Sequence, residues 1–197
     1  MWKQEYIKRM SKAFPTGAYE NWSTCQKLFP HAEAAVALRT ADDGLLKEWV
    51  YILTHAAWYV WAQGKYVATE RMARKAIATG QDLLGMEHLD VLVSLGILAL
   101  VLRFQGKYKQ AEEMSRRALA ECEKALGKEH PSMLTSISNL ALVLRSQGKY
   151  EQAGEMSRRV LAGREKVLGK EYPSTLTSIS NLALVLRSRE NTSRRGR

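Results

Sequence analysis

Apolar residues recur along this chain at helical spacing. Ile137, Leu140, Ala141 and Leu144 stand at i, i+3, i+4 and i+7, which is one face of an α-helix. Pro131 lies at a first-turn position, where its missing N–H costs nothing. Gly148 follows the last apolar residue and can take a left-handed cap. Together these predict a helix over 131–147, designated an A helix. Ala153, Met156, Val160 and Leu161 predict a B helix over 150–168, ended by Gly169.

The pattern returns at a fixed step. Gln-Gly-Lys-Tyr begins at Gln63, Gln105 and Gln147, a spacing of 42 residues each time. Ala57, Ala99, Ala141 and Ala183 keep the same step, and residues 134–146 and 176–188 are identical letter for letter. One helix hairpin cannot bury its apolar face alone, so a fixed period of this size predicts stacked hairpins. The units are 45–86, 87–128 and 129–170, with a half unit at 171–188. Their helices fall at 45–63, 66–84, 88–105, 108–126, 131–147, 150–168 and 173–188. Residues 1–44 lack the period and read as a helical cap with a linker at 40–44. Its helices are expected at 2–13, 19–29 and 31–39, the last opened by Pro30 after a break at Phe14-Pro15-Thr16-Gly17. Residues 189–197 read as a disordered basic tail.

The landmarks Leu140-Ala141, Leu144, Gly148, Tyr150 and Ala153, with Val160 ten residues past the tyrosine, resemble the tetratricopeptide repeat. That repeat usually has 34 residues. The longer unit here, with Leu-Gly-Lys-Glu-His-Pro at 126–131, resembles the form found in kinesin light chains. The same form occurs in the carboxy-terminal arrays of fungal NLR-like (NACHT/NB-ARC) proteins. Phe14, Pro15, Gly17, Tyr19, Glu20, Asn21 and Trp22 resemble a segment that precedes the repeats in that fungal group. The resemblance covers about residues 45–188. It implies an all-α fold, a right-handed α-solenoid of tetratricopeptide hairpins behind an N-terminal helical cap, and a protein-binding role.

Composition narrows the reading. An apolar share of 46% is that of a globular chain. The most apolar run, residues 91–102, is too short for a bilayer, which takes roughly 20 residues. Nothing near Met1 has the apolar stretch of a secretory signal. Two cysteines, Cys25 and Cys122, make no disulfide framework, so a cytoplasmic location is expected. Cys122 stands where the next unit has Arg164, and is expected to face partly outward. Net charge is +10. Basic pairs at Arg74-Lys75, Arg116-Arg117 and Arg158-Arg159 suit either an acidic partner or a solvated outer face matched by Glu70, Glu112, Glu113 and Glu155. Net charge is the one feature that supports nucleic acid; the aromatic-basic pattern that a single-strand binder needs is missing, so nucleic acid is not the expected partner.

No catalytic or cofactor constellation is present. Gly80 and Gly85 have the spacing of a phosphate-binding loop, but Met86 stands where that loop needs lysine. The four histidines lack metal-ligand spacing; His88 and His130 share a repeat position and read as capping residues. The chain is therefore expected to be no enzyme and to carry no cofactor or metal.

A surface remains. By the resemblance, A helices line a groove. Its row is Thr135, Ser138, Asn139, Leu142 and Arg145 in the third unit, and Thr177, Ser180, Asn181, Leu184 and Arg187 in the fourth. Asn139 and Asn181 occupy the place of the kinesin-light-chain asparagine that contacts a peptide backbone. An asparagine amide can both donate and accept, and arginines can grip carboxylates in bidentate fashion. The second unit offers Val93, Ile97, Leu100 and Arg103. The first offers Tyr51, His55 and Trp58, aromatic groups that either line the groove or pack on residues 1–40.

The expected ligand is thus a peptide or protein with apolar anchors and an acidic end. The resemblance suggests the sensing region of a fungal NLR-like protein. The alternatives are a kinesin-light-chain-like cargo adaptor and a nucleic-acid-binding α-solenoid. Ile179, Leu182, Ala183, Val185 and Leu186 have a B helix on one side only, so a homodimer through the fourth A helix is also expected.

Overall fold

The computed structural model describes residues 2–38, 43–127 and 130–195. All their regular structure is helical: α1 (Trp2–Ala13), α2 (Trp22–Ala37), α3 (Asp43–Ala62), α4 (Tyr66–Leu83), α5 (Leu89–Phe104), α6 (Tyr108–Leu126), α7 (Pro131–Ser146), α8 (Tyr150–Leu168) and α9 (Pro173–Arg195). A 3-10 turn at Tyr19–Asn21 leads into α2. The chain divides into two compact units, residues 1–105 and 106–197.

In the first unit α3 is the hub, packed by α1 and α2 on the cap side and by α4 and α5 on the other. It buries Leu45, Trp49, Ile52, Leu53, Ala56, Tyr59 and Val60, and the cap contributes Ile7, Met10, Phe14, Cys25, Ala32 and Ala35. In the second unit the helices pack in order, α6 on α7, α7 on α8 and α8 on α9. Leu140 and Leu144 of α7, Ala153 of α8 and Val185 of α9 form one buried cluster. No described helix is long and apolar enough to cross a membrane.

The repeated Gln-Gly-Lys-Tyr is a turn with a clamp attached. Its glycines at 64, 106 and 148 have φ of +74°, +76° and +79°, a region in which a Cβ is strained. Around Gly148 the A helix closes with Lys149 N donating to Leu144 O at 2.9 Å. The flanking side chains then reach back to the preceding B helix. Lys149 Nζ donates to Glu112 Oε2 at 2.7 Å, and Gln147 Nε2 donates to Tyr108 O at 3.0 Å. Gln105 Nε2 does the same to Glu70 Oε2 at 2.8 Å in the first unit. Glu70 and Glu112 each also bind the arginine four residues on, Arg74 and Arg116. Helix starts repeat too: the Nδ1 atoms of His88 and His130 accept from Asp90 N and Ser132 N, capping α5 and α7.

Four details differ from the sequence reading. Pro30 does not open a helix; it lies inside α2. It is exposed, while Cys25, Ala32 and Ala35 form a buried face running past it, and this packing outweighs the lost backbone hydrogen bond. Asp43 and Gly44 belong to α3 rather than to a linker; the rest of the expected linker, 40–42, lies outside the described residues. The helix from Pro173 does not stop at Ser188 but runs to Arg195, and 196–197 lie outside the described residues. Arg189-Glu190-Asn191-Thr192 replaces Gln-Gly-Lys-Tyr there, so no glycine supplies the left-handed stop. Cys122 is buried at 1% exposure. Arg164, at the same repeat position, is also buried, its Nη1 donating to Ser174 O and Ser178 Oγ at 2.9 Å.

The clamp makes stability pH-dependent. The hydrogen bond from Lys149, helped by those from Arg116 and Gln147, holds the Glu112 carboxyl at about 2 against the opposing effect of burial. A depressed carboxylate contributes stability that is complete above its ordinary value near 4.5 and is lost as pH falls toward 2. Glu112→Gln is expected to cost about 1 kcal/mol at pH 7, because the Arg116 and Lys149 side chains it leaves are half-exposed and regain water. It should also flatten the loss of stability between pH 5 and pH 2, as read by urea melts across that range.

Candidate functional site

In the second unit α7 and α9 lie next to each other as well as against α8. Their identical sequences therefore present two copies of one residue row. Thr135, Asn139 and Leu142 stand at i, i+4 and i+7 on α7, and Thr177, Asn181 and Leu184 repeat them on α9. Thr135 is exposed, and Ser138, Asn139, Leu142 and Arg145 are half-buried. On α9 Asn181 is half-buried, while Thr177, Ser180, Leu184 and Arg187 are exposed. Thr177 and Ser180 turn their hydroxyls back to the carbonyls of Pro173 and Leu176. The side-chain amides of Asn139 and Asn181 make no hydrogen bond among the described residues, so each offers a donor and an acceptor at a half-open position.

The first unit treats the same row differently. Val93, Gly96, Leu100 and Arg103 are half-buried on α5, whereas Ile97 is buried. On α3 His55 is buried and Tyr51 and Trp58 are half-buried, because the chain's own N-terminal segment lies across them. Phe14 is 1% exposed. Tyr51 Oη donates to Phe14 O at 3.5 Å. Gly17 lies so close to α3 that a Cβ there would sit 2.5 Å from Tyr59 N and 2.8 Å from Trp58 Cγ. Asn21 Nδ2 and Trp22 Nε1 hold the segment from behind, donating to Thr16 O and Gly17 O at 3.1 Å each. His55 and Ile97 are thus interior groups, which helical register alone did not reveal. The signal for the covering segment was Gly17, the one residue there able to approach a helix backbone so closely.

Polar groups bury with the aromatics. The hydroxyls of Thr54 on α3 and Ser94 on α5 lie 2.8 Å apart. His55 stacks on Tyr51 with ring centroids 3.9 Å apart, and its Nδ1 lies 2.8 Å from Tyr51 O. Burial pushes the His55 pKa down, opposed by that carbonyl and by the charge of Asp90.

The first two basic pairs on the B helices are engaged within the chain, while Arg158 and Arg159 on α8 are exposed. Arg74 and Arg116 are ion-paired to Glu70 and Glu112 at 2.9 and 2.8 Å, and Lys75 Nζ sits 4.6 Å from the Trp49 ring centre. Among the described residues no group of His, Cys, Asp and Glu could hold a metal ion.

Residues 48–124, 97–166 and 132–194 each match the tetratricopeptide repeat family. No protein of curated function matches the chain. Among solved structures, two of a Podosopora anserina protein, provisionally described as a kinesin light chain with nearly identical TPR-like repeats, are similar. A single-substitution variant of that protein has a TM-score of 0.67 at 24% identity, and the unsubstituted form 0.65 at 24%; each comparison covers 98% of this chain and 87% of the other. BtubC (BKLC) from P. vanneervenii is similar with a TM-score of 0.71 at 20% identity, over 94% of this chain and 80% of the other. At these identities the likeness is one of fold.

Two outcomes check the cap. Phe14→Ala is expected to cost about 3–5 kcal/mol, the usual loss for a buried phenylalanine, as read by chemical denaturation. The lowered pKa of His55 means that stability is complete above about pH 6.5 and declines as pH falls below it, because the unfolded chain takes up the proton first. His55→Gln should remove that part of the slope.

Proposed function

The chain belongs to the tetratricopeptide repeat family, and we propose that it is a non-enzymatic interaction module that holds an extended peptide on the A-helix face of α7 and α9. The observation that carries this reading is the pair of half-open asparagine amides, Asn139 and Asn181, at one register on neighbouring helices. An extended peptide needs donors and acceptors at intervals along its backbone, and these amides supply both. Leu142 and Leu184 give apolar contacts on either side. Arg187, exposed at the end of the row, suits an acidic end. The row on α3 takes no part, because residues 14–17 lie on it.

The resemblance of residues 14–22 and of the long repeat supports a finer role as the partner-sensing region of a fungal NLR-like protein in the cytoplasm. A kinesin-light-chain-like cargo adaptor is the second reading, favoured by the likeness to the Podosopora anserina structures. Both readings use the same groove. A nucleic-acid role is disfavoured by the ion pairs of Arg74 and Arg116.

Peptides selected on the chain from a displayed random library provide the test. Asn139→Ala with Asn181→Ala removes two hydrogen bonds worth about 0.5–1.5 kcal/mol each, so affinity should fall roughly fivefold to a hundredfold or more. The helical circular dichroism should not change. Undiminished affinity, or loss of the helix signal, would overturn the assignment. A fluorescent single-stranded oligonucleotide is expected to show no binding at about 0.15 M salt, where non-specific contacts are weak.

A further inference from the structure

At three joints a B helix packs on the A helix that follows it, and the same repeat positions meet at each. Where α4 meets α5 they are Gly80, Val91 and Ser94, all buried. A Cβ on Gly80 would lie 2.6 Å from Val91 Cγ2. Where α6 meets α7 they are Cys122 and Met133, each 1% exposed, and Ser136, which stands against the Cys122 thiol. Where α8 meets α9 they are Arg164, Thr175 and Ser178, at 9%, 0% and 2% exposure. Neutral side chains close the first two joints. The third differs at both facing positions, with arginine for cysteine and threonine for methionine, and so buries a charge where the others bury none.

That charge has no counter-charge in the chain. Arg164 Nη1 donates to Ser174 O and Ser178 Oγ at 2.9 Å, and both acceptors are neutral. Among the described residues no carboxylate pairs with the guanidinium. The exposed Arg9, Arg74, Arg116 and Arg189, by contrast, each hold a glutamate at 2.7–2.9 Å. Burial pushes the Arg164 pKa down, and no neighbouring charge opposes it. A buried cation without an opposite charge is costly, and the positive end of the α9 dipole lies beside this one.

Unused donors gather at the same place. Nε and Nη2 of Arg164 have no protein partner among the described residues, and they keep an edge open to solvent. The Thr175 hydroxyl is buried without a partner. Thr175 and Ser178 are three residues apart, on one face of α9, and that face is turned to α8. Leu176, Ile179 and Leu186, at 50%, 45% and 36% exposure, lie elsewhere on the helix. The chain's own α8 and α9 therefore form this joint, whatever covers the other side of α9.

We propose that Arg164 and Thr175 form a site for a small inorganic oxyanion of the phosphate or sulfate kind. The parallel N–H bonds of Nε and Nη2 match two oxygens of such an ion, and the Thr175 hydroxyl donates to a third. The small open edge suits a free ion. Bound there, it supplies the missing negative charge and ties the first turn of α9 to α8. The site is separate from the row of Thr177, Asn181 and Leu184 and does not rest on the peptide reading.

NMR of the labelled whole chain, titrated with inorganic phosphate to about 50 mM at an ionic strength held constant with sodium chloride, gives the first reading. The amides of Thr175 and Ser178 should shift and saturate with a midpoint of about 1–5 mM, as a single weak site does. Sulfate should act likewise, and added chloride should not. Shifts that do not saturate, or that centre on exposed arginines such as Arg158 and Arg159, overturn the proposal. Thermal melting gives the second. Replacing chloride by about 20 mM phosphate should raise the midpoint by about 2–4 °C. Arg164→Cys with Thr175→Met installs the pair that already closes the α6–α7 joint, so it should stay helical and lose that rise. General salt effects act on both chains alike, and an equal rise in both overturns the site. If the double variant loses its helix signal, Arg164→Lys decides, since it keeps the charge and removes the fork. Phosphate binding should then weaken at least threefold, and undiminished binding overturns the proposal.

Discussion

An A helix in this fold has more apolar surface than one neighbour can cover. Everything else in the structure follows from that constraint. Helix α7 satisfies it by lying between two B helices. Helix α3 has a B helix on one side only, and α1, the 14–17 segment and α2 supply the other cover. Helix α9 has α8 on one side, and its opposite stripe stays open. The same apolar pattern thus produces a buried helix, a capped helix and a half-covered helix, according to what stands beside it.

The repeated turn enforces the geometry in which this covering works. A positive-φ glycine reverses the chain between A and B helices, and the residues on either side of it tie back to a glutamate on the previous B helix. Glu70 and Glu112 receive those ties. At the third B helix the glutamate is replaced by Gly154, and the fourth turn has lost its glycine. The clamp and the turn disappear together, and α9 continues as an uninterrupted helix whose Arg189 pairs with Glu151 at 2.7 Å. Regularity in this chain is therefore a matter of local chemistry at a few positions rather than of overall composition.

Much of the architecture was legible because periodicity reports directly on helix faces. The A and B helices, their glycine stops and the histidine caps could all be read from the 42-residue step. What escaped were features set by tertiary contact. Pro30 looked like a boundary, yet a buried face extends across it. Cys122 looked outward because Arg164 stands one unit later, yet both positions are interior, the arginine reaching Ser174 and Ser178. Val185 looked spare, and it fills the cluster with Leu140 and Leu144. Position in the repeat likewise placed His55 and Ile97 on the same row as Asn139, but the cap and neighbouring side chains bury them. For the asparagine row the sequence supplied the register and the structure supplied the accessibility, and only the two together make a candidate binding face.

The central claim is that ligands meet the A-helix row of α7 and α9 rather than the charged outer faces of the B helices. Amide and side-chain NMR shifts of the labelled chain, titrated with a library-selected peptide, test it most directly. The account predicts the largest changes at Thr135, Asn139, Leu142, Thr177, Asn181 and Leu184. Changes centred instead on Glu113, Arg117, Glu155 and Arg158 of α6 and α8, with the asparagine amides unmoved, would contradict it.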